Sequence, residues 1–263
     1  MINLHLALSF IRHFFTAKRN GHGIHSPFAY ELCEEVFYNQ NSFYDFGELK
    51  KTRRELWENK TKIEVTDFGA GSKKFKSSER RISDIAINGI STTLQSEIFY
   101  KLINYLKLNC SVELGTSLGL NTLYFARANQ LKPVVTIDGS KSLCDFAQAL
   151  AEKHQVRNVQ FINGKFDEVL PRLLETIPQP FFLYIDGNHT YEATIRYFNM
   201  VMQKKDNHSV IVFDDIYWSK GMTRAWEEIK KNTAVTLSID AFYFGILFFR
   251  PEVKEKIDLK IWL

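Results

Sequence analysis

The 263-residue chain predicts an α/β fold: a doubly wound, mostly parallel sheet of seven strands, ending in an antiparallel hairpin and preceded by a helical extension. Three observations carry this. From about residue 92 onward, short β-branched or aromatic runs alternate with longer amphipathic segments, the pattern of a parallel sheet covered on both faces. The last two apolar runs, AVTLSI and FYFGILFFR, are too close together for a crossover helix and should pair as a hairpin at the sheet's edge. A glycine-containing turn at residues 115–119 joins a buried strand to a helix.

The elements follow in order. LHLALSFIRHFF is a helix whose apolar positions Leu4, Leu8, Ile11 and Phe15 should dock on the domain, with a membrane-surface role as the alternative. It is broken by Arg12 and His13 and lacks a small-residue cleavage site, so neither a signal peptide nor a spanning segment is expected. Ser26-Pro27 marks a helix start, serine capping and proline at the first helical position, which makes HGIHSPF structural despite its two histidines. Residues 1–91 form an irregular, helical extension and residues 92–263 the sheet domain. There the strands SVEL, VVTID, VQFI, FFLYID, SVIVFDD, AVTLSI and FYFGILFFR are the seven expected, with a helix between each pair of the first six.

Composition agrees. Hydrophobic residues make up 45% and aromatic ones 14%, enough for a full core. Cys33, Cys110 and Cys144 are too few and too scattered for a disulfide framework or a zinc knuckle, and a reducing cytoplasm is the expected location. The net charge of +4 is uneven: residues 50–81 hold 11 Lys or Arg against 5 Asp or Glu. A solvated charged face is the plain reading; an anionic substrate or partner is the sharper one.

Two stretches compete to be a cofactor loop, VTDFGAGSKK at residues 65–74 and SVELGTSLGLNT at residues 111–122. Such a loop needs a buried strand before it, a helix after it and an acidic group further on. The first continues as SKKFKSSERRIS, too charged to pack on a sheet, and is left as a lid or a plain surface loop. The second continues as LNTLYFARANQ and then VVTID, ending in Asp138, and meets every condition.

Glu113-Leu114-Gly115-Thr116-Ser117-Leu118-Gly119, inside five parallel strands ending in a hairpin, resembles the first motif of the class I S-adenosylmethionine-dependent methyltransferases, a Rossmann-like family. The resemblance covers residues 92–250. It implies that Glu113, Gly115, Thr116 and Gly119 hold the methionine part and ribose of S-adenosylmethionine, that Asp138 takes the ribose diol, and that Gly164, Lys165 and Phe166 lie by the adenine. A nicotinamide-binding domain would carry G-x-G-x-x-G; here the spacing is G-x-x-x-G.

Carboxylates at strand ends add a second centre. Asp186 ends FFLYID within DGNHTY, Asp214 and Asp215 end SVIVFDD, and in a doubly wound sheet both ends open onto the ligand crevice. With His189 nearby, such oxygen ligands suit Mg²⁺, Ca²⁺ or Mn²⁺. The pattern is similar to the catechol O-methyltransferase group, which implies Asp186, Asp214 and Asp215 as ligands of a divalent cation, with Asp186 also bordering the cofactor. That group has a lysine base three residues after the first aspartate; His189 stands there instead, with a pKa suited to proton abstraction. Tyr217-Trp218-Ser219 could line the acceptor or pack beneath it.

The expected activity is therefore methyl transfer to an oxygen of a small-molecule or lipid-like acceptor, anionic if the basic stretch meets it, by a chain without a transmembrane segment; a homodimer is an open possibility. The alternatives are an RNA or other macromolecular substrate tracked by residues 50–81 and a non-catalytic cofactor-binding protein. Nucleic acid is disfavoured: no Asn/Asp-Pro-Pro-aromatic run follows the fourth strand, and no cysteine adjoins it or the fifth.

Overall fold

The computed structural model describes residues 4–19, 23–66 and 78–263. By compactness the chain divides into two units, residues 40–173 and residues 1–39 together with 174–263.

In the unit 40–173, a small antiparallel hairpin, β1 (Lys62–Glu64) and β2 (Glu79–Arg81), lies between the helices Phe46–Glu58 and Ile82–Asn88. Residues 67–77, with most of VTDFGAGSKK, lie outside the described residues. Strand-helix alternation starts with the helix Thr93–Leu106, which opens on a capping box: Thr92 accepts from the Gln95 amide and the Gln95 side chain accepts from the Thr92 amide. The strands β3 (Cys110–Leu114), β4 (Val134–Asp138) and β5 (Val159–Asn163) run parallel in that spatial order. β3 is buried along its whole length and β4 nearly so, as expected of a parallel sheet covered by crossover helices.

The other unit holds β6 (Phe181–Ile185), β7 (Val210–Asp214), β8 (Leu237–Asp240), β9 (Phe244–Phe248) and β10 (Ile257–Lys260) in the order β10-β8-β9-β7-β6. β6 and β7 are parallel, β9 is antiparallel to both its neighbours, and β10 is parallel to β8. The fold is thus the mostly parallel α/β architecture that the sequence predicts, with two differences. Strands β3 to β10 number eight, not seven, and the β8–β9 hairpin is not the edge, because the short β10 covers the outer side of β8. Trp226 lies against Gly245 of β9, where a methyl group would come 2.5 Å from its ring.

The first helix, Leu4–Thr16, is anchored differently from expectation. Its one fully buried residue is His13, whose Nδ1 lies 3.3 Å from Asp240 Oδ1 and whose Nε2 lies 2.9 Å from the Ile261 carbonyl. Leu4, Leu8, Ile11 and Phe15, expected to dock, point outward with exposures of 69, 58, 53 and 79%. The Ser26 side chain caps the helix Pro27–Leu32 by accepting from the Ala29 amide, as the Ser-Pro pair predicts. No helix among the described residues is long and apolar enough to cross a membrane. All three cysteines are buried and free, and burial pushes each thiol up to about 11.

Candidate active site

In the unit 40–173, the turn after β3 is built by backbone that only certain residues tolerate. Gly115 has φ +109° and Gly119 φ +78°, and a methyl group at Gly119 would sit 2.6 Å from Ala147 Cβ. Between them Ser117 also has a positive φ, 49°. Its amide donates to Asp138 Oδ2 at 2.9 Å, while Asp138 Oδ1 accepts from the Ser140 amide at 2.8 Å. The carboxylate at the end of β4 therefore fixes the tip of the glycine turn.

Glu113 lies beneath this turn rather than in it. It is buried, and its Oε2 accepts from Thr122 Oγ1 at 2.5 Å and Thr136 Oγ1 at 2.7 Å. Thr116 shares a 2.6 Å hydrogen bond with Thr136, so both threonines near the turn connect to one acidic group. At the end of β5, the Gly164 amide and the Asn163 side chain both donate to the Asp138 carbonyl, and a methyl group at Gly164 would meet Val169 at 2.7 Å. Lys165 is exposed, 3.6 Å from Glu168, and Phe166 begins the next helix half-buried. Ser117, Ser140 and Asn163 were not singled out in the sequence; small polar residues after strand ends were the available signal.

In the other unit, Asp186, His189, Asp214 and Asp215 do come together. Asp186 follows β6, and Asn188 turns the chain with φ +53° so that His189 doubles back. His189 Nε2 lies 3.5 Å from Asp186 Oδ1 and 4.0 Å from Asp215 Oδ2. Asp215 is itself in a left-handed conformation, φ +54°, with its amide donating to the Tyr243 carbonyl at 2.7 Å and its carbonyl accepting from Trp218. Tyr184, on β6, donates its hydroxyl to Asp186 Oδ2 at 3.2 Å, a contact the sequence reading did not anticipate. Tyr217 is turned inward to donate to Asp240 at 2.6 Å, while Trp218 is partly exposed.

The charges in this cluster shift one another. Burial, then the neighbouring Asp186 and Asp215, hold the Asp214 carboxyl well above the usual carboxylate range; Tyr184 opposes this and a hydrogen bond with Asp186 adds to it. For His189 burial pulls downward, but the hydrogen bond and charge of Asp186, with the charge of Asp215, outweigh it and the imidazole is raised. Three carboxylates and an imidazole would suit a hard divalent cation by donor type. As they stand, however, they satisfy one another: Asp214 is hydrogen-bonded to Asp186, and Asp186 pairs with His189. Among the described residues no three His, Cys, Asp or Glu side chains are arranged to hold a metal ion.

Comparison with known proteins agrees with the fold. Residues 112–216 match a family described as a methyltransferase domain. An uncharacterized protein of Acanthamoeba polyphaga mimivirus, R132, is 32% identical over 113 residues, 40% of this chain and 50% of its own length. The chain thus spans about half the length of this curated relative. Among solved structures, Podospora anserina methyltransferase PaMTH1, bound to S-adenosylhomocysteine, is similar with a TM-score of 0.58 at 10% identity, covering 95% of this chain and 97% of its own. The Streptomyces achromogenes O-methyltransferase TomG, involved in tomaymycin synthesis and solved with S-adenosylmethionine, gives 0.56 at 16% identity over 84% and 95%. A Bacillus cereus O-methyltransferase in complex with S-adenosylhomocysteine gives 0.55 at 16% over 80% and 93%. The domain match over residues 112–216 and the solved neighbours agree on a methyltransferase domain set in an α/β fold shared with S-adenosylmethionine-dependent O-methyltransferases.

Proposed function

We propose that this chain transfers the methyl group of S-adenosylmethionine to an oxygen of a small-molecule or lipid-like acceptor, with His189 as the base. The observation that carries the reading is the Asp186–His189 pair, joined at 4.0 Å by Asp215. In an in-line displacement the acceptor oxygen bonds to the methyl carbon as the carbon–sulfur bond breaks, leaving neutral S-adenosylhomocysteine. The protein positions the acceptor and removes its proton. With Nε2 turned to the two carboxylates and holding its proton there, Nδ1 keeps the lone pair that takes the acceptor's proton. Asp186 orients the ring and stabilises the imidazolium that forms.

The cofactor belongs to Gly115, Thr116, Gly119 and Asp138, with Glu113 acting from below through the threonines it binds, and with Gly164, Lys165 and Phe166 at the adenine. Support comes from the strained glycine turn held by Asp138. Asp186, which follows β6, stands with His189 on the acceptor side. The buried free cysteines suit a reducing cytoplasm.

A second reading keeps the same residues but places a divalent cation on Asp186, Asp214 and Asp215; burial of Asp214 and then its repulsion by Asp186 and Asp215, which a cation would relieve, favour it. The macromolecular alternative has less support, because Arg53 is buried and Lys50 and Lys62 pair with Glu97 and Glu79 instead of standing free for phosphates. The deciding experiment is radiolabelled methyl transfer from S-adenosylmethionine to a panel of hydroxyl acceptors, with and without chelator. Transfer that persists in chelator and is lost in His189→Ala supports the base; activity abolished by chelator and restored by Mg²⁺ supports the cation.

A further inference from the structure

The first helix presents its apolar stripe to solvent, a feature that methyl transfer leaves unused. At 100° per residue, Leu4, Leu8, Ile11 and Phe15 fall in one narrow row, while His13 lies on the opposite side of the helix. That opposite side is where the helix is fixed: His13 contacts Asp240 and the Ile261 carbonyl, His5 Nε2 lies 2.9 Å from Thr223 Oγ1, and Phe10 packs edge-on against Phe242 at 5.1 Å. The row cannot turn inward without breaking a buried imidazole–carboxylate contact. Its outward orientation is a property of the docked helix.

The charges that flank the row in sequence have one sign. Residues 1–30 contain Arg12, Lys18 and Arg19 and no Asp or Glu. Arg12, Lys18 and Arg19 are all exposed, and Arg19 is stacked over Phe14 at 4.8 Å, which holds its charge near the Phe15 end of the row. We propose that this helix lies in the interface of an anionic lipid membrane, with Leu4, Leu8, Ile11 and Phe15 among the acyl chains and Arg12, Lys18 and Arg19 against the headgroups. Interfacial helices have this composition, an apolar face with flanking cations, and sink about 5–10 Å into the boundary. A second copy of the chain fits less well. The row offers on the order of a few hundred Å², short of the roughly 800 Å² per partner that a stable dimer buries, and two such helices would bring like charges together with no acidic partner. The inference goes beyond the methyltransferase reading and does not depend on it.

The test is co-sedimentation of the full chain with vesicles of phosphatidylcholine and phosphatidylserine, compared with phosphatidylcholine alone. The wild type should sediment with the anionic vesicles and be released by high salt. Leu8→Ser/Phe15→Ser should weaken this by about ten-fold or more, and Arg12→Glu/Lys18→Glu should weaken it comparably while abolishing the preference for anionic lipid. Both pairs are exposed, so melting temperature should be unchanged; if the serine pair fails to fold, the charge pair decides alone. A wild type that stays in the supernatant with both vesicles overturns the proposal, as does a serine variant that binds equally well. A dimer in sedimentation equilibrium that the serine variant abolishes, with no vesicle binding, assigns the row to a second copy and also overturns it.

Discussion

His189 Nε2 stands 3.5 Å from Asp186 Oδ1, three residues along a turn that Asn188 makes possible with a positive φ. Because Asp186 and Asp215 raise the imidazole above its ordinary value, the neutral form needed to accept a proton appears only on the alkaline side of that value. Turnover should therefore rise with pH through an inflection above the ordinary histidine range, and Asp186→Asn should move the inflection to lower pH. His189→Ala should cost on the order of 10²–10⁴ in kcat with S-adenosylmethionine affinity spared. A pH profile of kcat for the three proteins checks this, and a flat profile would remove His189 as the base.

Asp214 is the strained member of the cluster. Its carboxyl is raised, so the fold prefers it protonated; that contribution is intact below the usual carboxylate value and lost as pH rises toward the raised one. Asp214→Asn keeps the shape without the charge and should stabilise the protein near neutrality, by about 1.4 kcal/mol for each unit by which the carboxyl is shifted. The gain should vanish in acid. Thermal melts near neutrality and below about pH 4 give the comparison, and an asparagine variant that melts lower at neutrality would contradict it.

Asp240 behaves in the opposite sense. Burial pushes its carboxyl up, but hydrogen bonds from His13 and Tyr217, the charge of His13 and the Phe242 amide hold it below the ordinary value. A lowered carboxylate stabilises the fold above its unfolded value, and that stability is lost as pH falls through the folded one. Denaturant melts should lose midpoint steeply in acid, and Asp240→Ala should cost about 3–5 kcal/mol by leaving its buried partners unmatched. An alanine variant as stable as wild type would show that the first helix is held by other contacts.

Gly245 and Trp226 make a packing test. A methyl group at Gly245 would lie 2.5 Å from the indole, so Gly245→Ala should cost about 1–3 kcal/mol. Trp226→Leu in the same chain should recover part of that loss, since the two sites touch. Additive losses in the double variant would mean the clash is absorbed elsewhere.

Much of this fold was legible because strand and helix periods differ and the long parallel strands read as unbroken apolar runs: FFLYI and VIVFD are buried at nearly every position. β10 was missed because IDLK alternates with charges over only four residues, which also describes a loop. The first helix was read with its stripe inward because periodicity finds an apolar face but not its orientation, and a buried histidine carries no sequence signal for docking. At the site, the aspartates at strand ends were legible from the general rule for doubly wound sheets. Tyr184 was not, since a tyrosine in a buried strand looks like core until its hydroxyl is seen 3.2 Å from Asp186. The hydrogen bond between Asp214 and Asp186 was equally hidden, because it joins side chains far apart in sequence.

Asp138 joins the glycine turn to β4 through its 2.9 Å bond to the Ser117 amide, and the methyltransferase reading depends on that turn holding S-adenosylmethionine. Calorimetric titration of the wild type with S-adenosylmethionine should show a single saturable site. Asp138→Ala should weaken it by about ten-fold or more, the loss of one or two charge-assisted hydrogen bonds to the ribose. Asp67→Ala, in the competing glycine stretch, should leave the affinity nearly unchanged. No heat from the wild type, or equal affinity in Asp138→Ala, would contradict the cofactor assignment and leave a protein that has kept the fold without the activity.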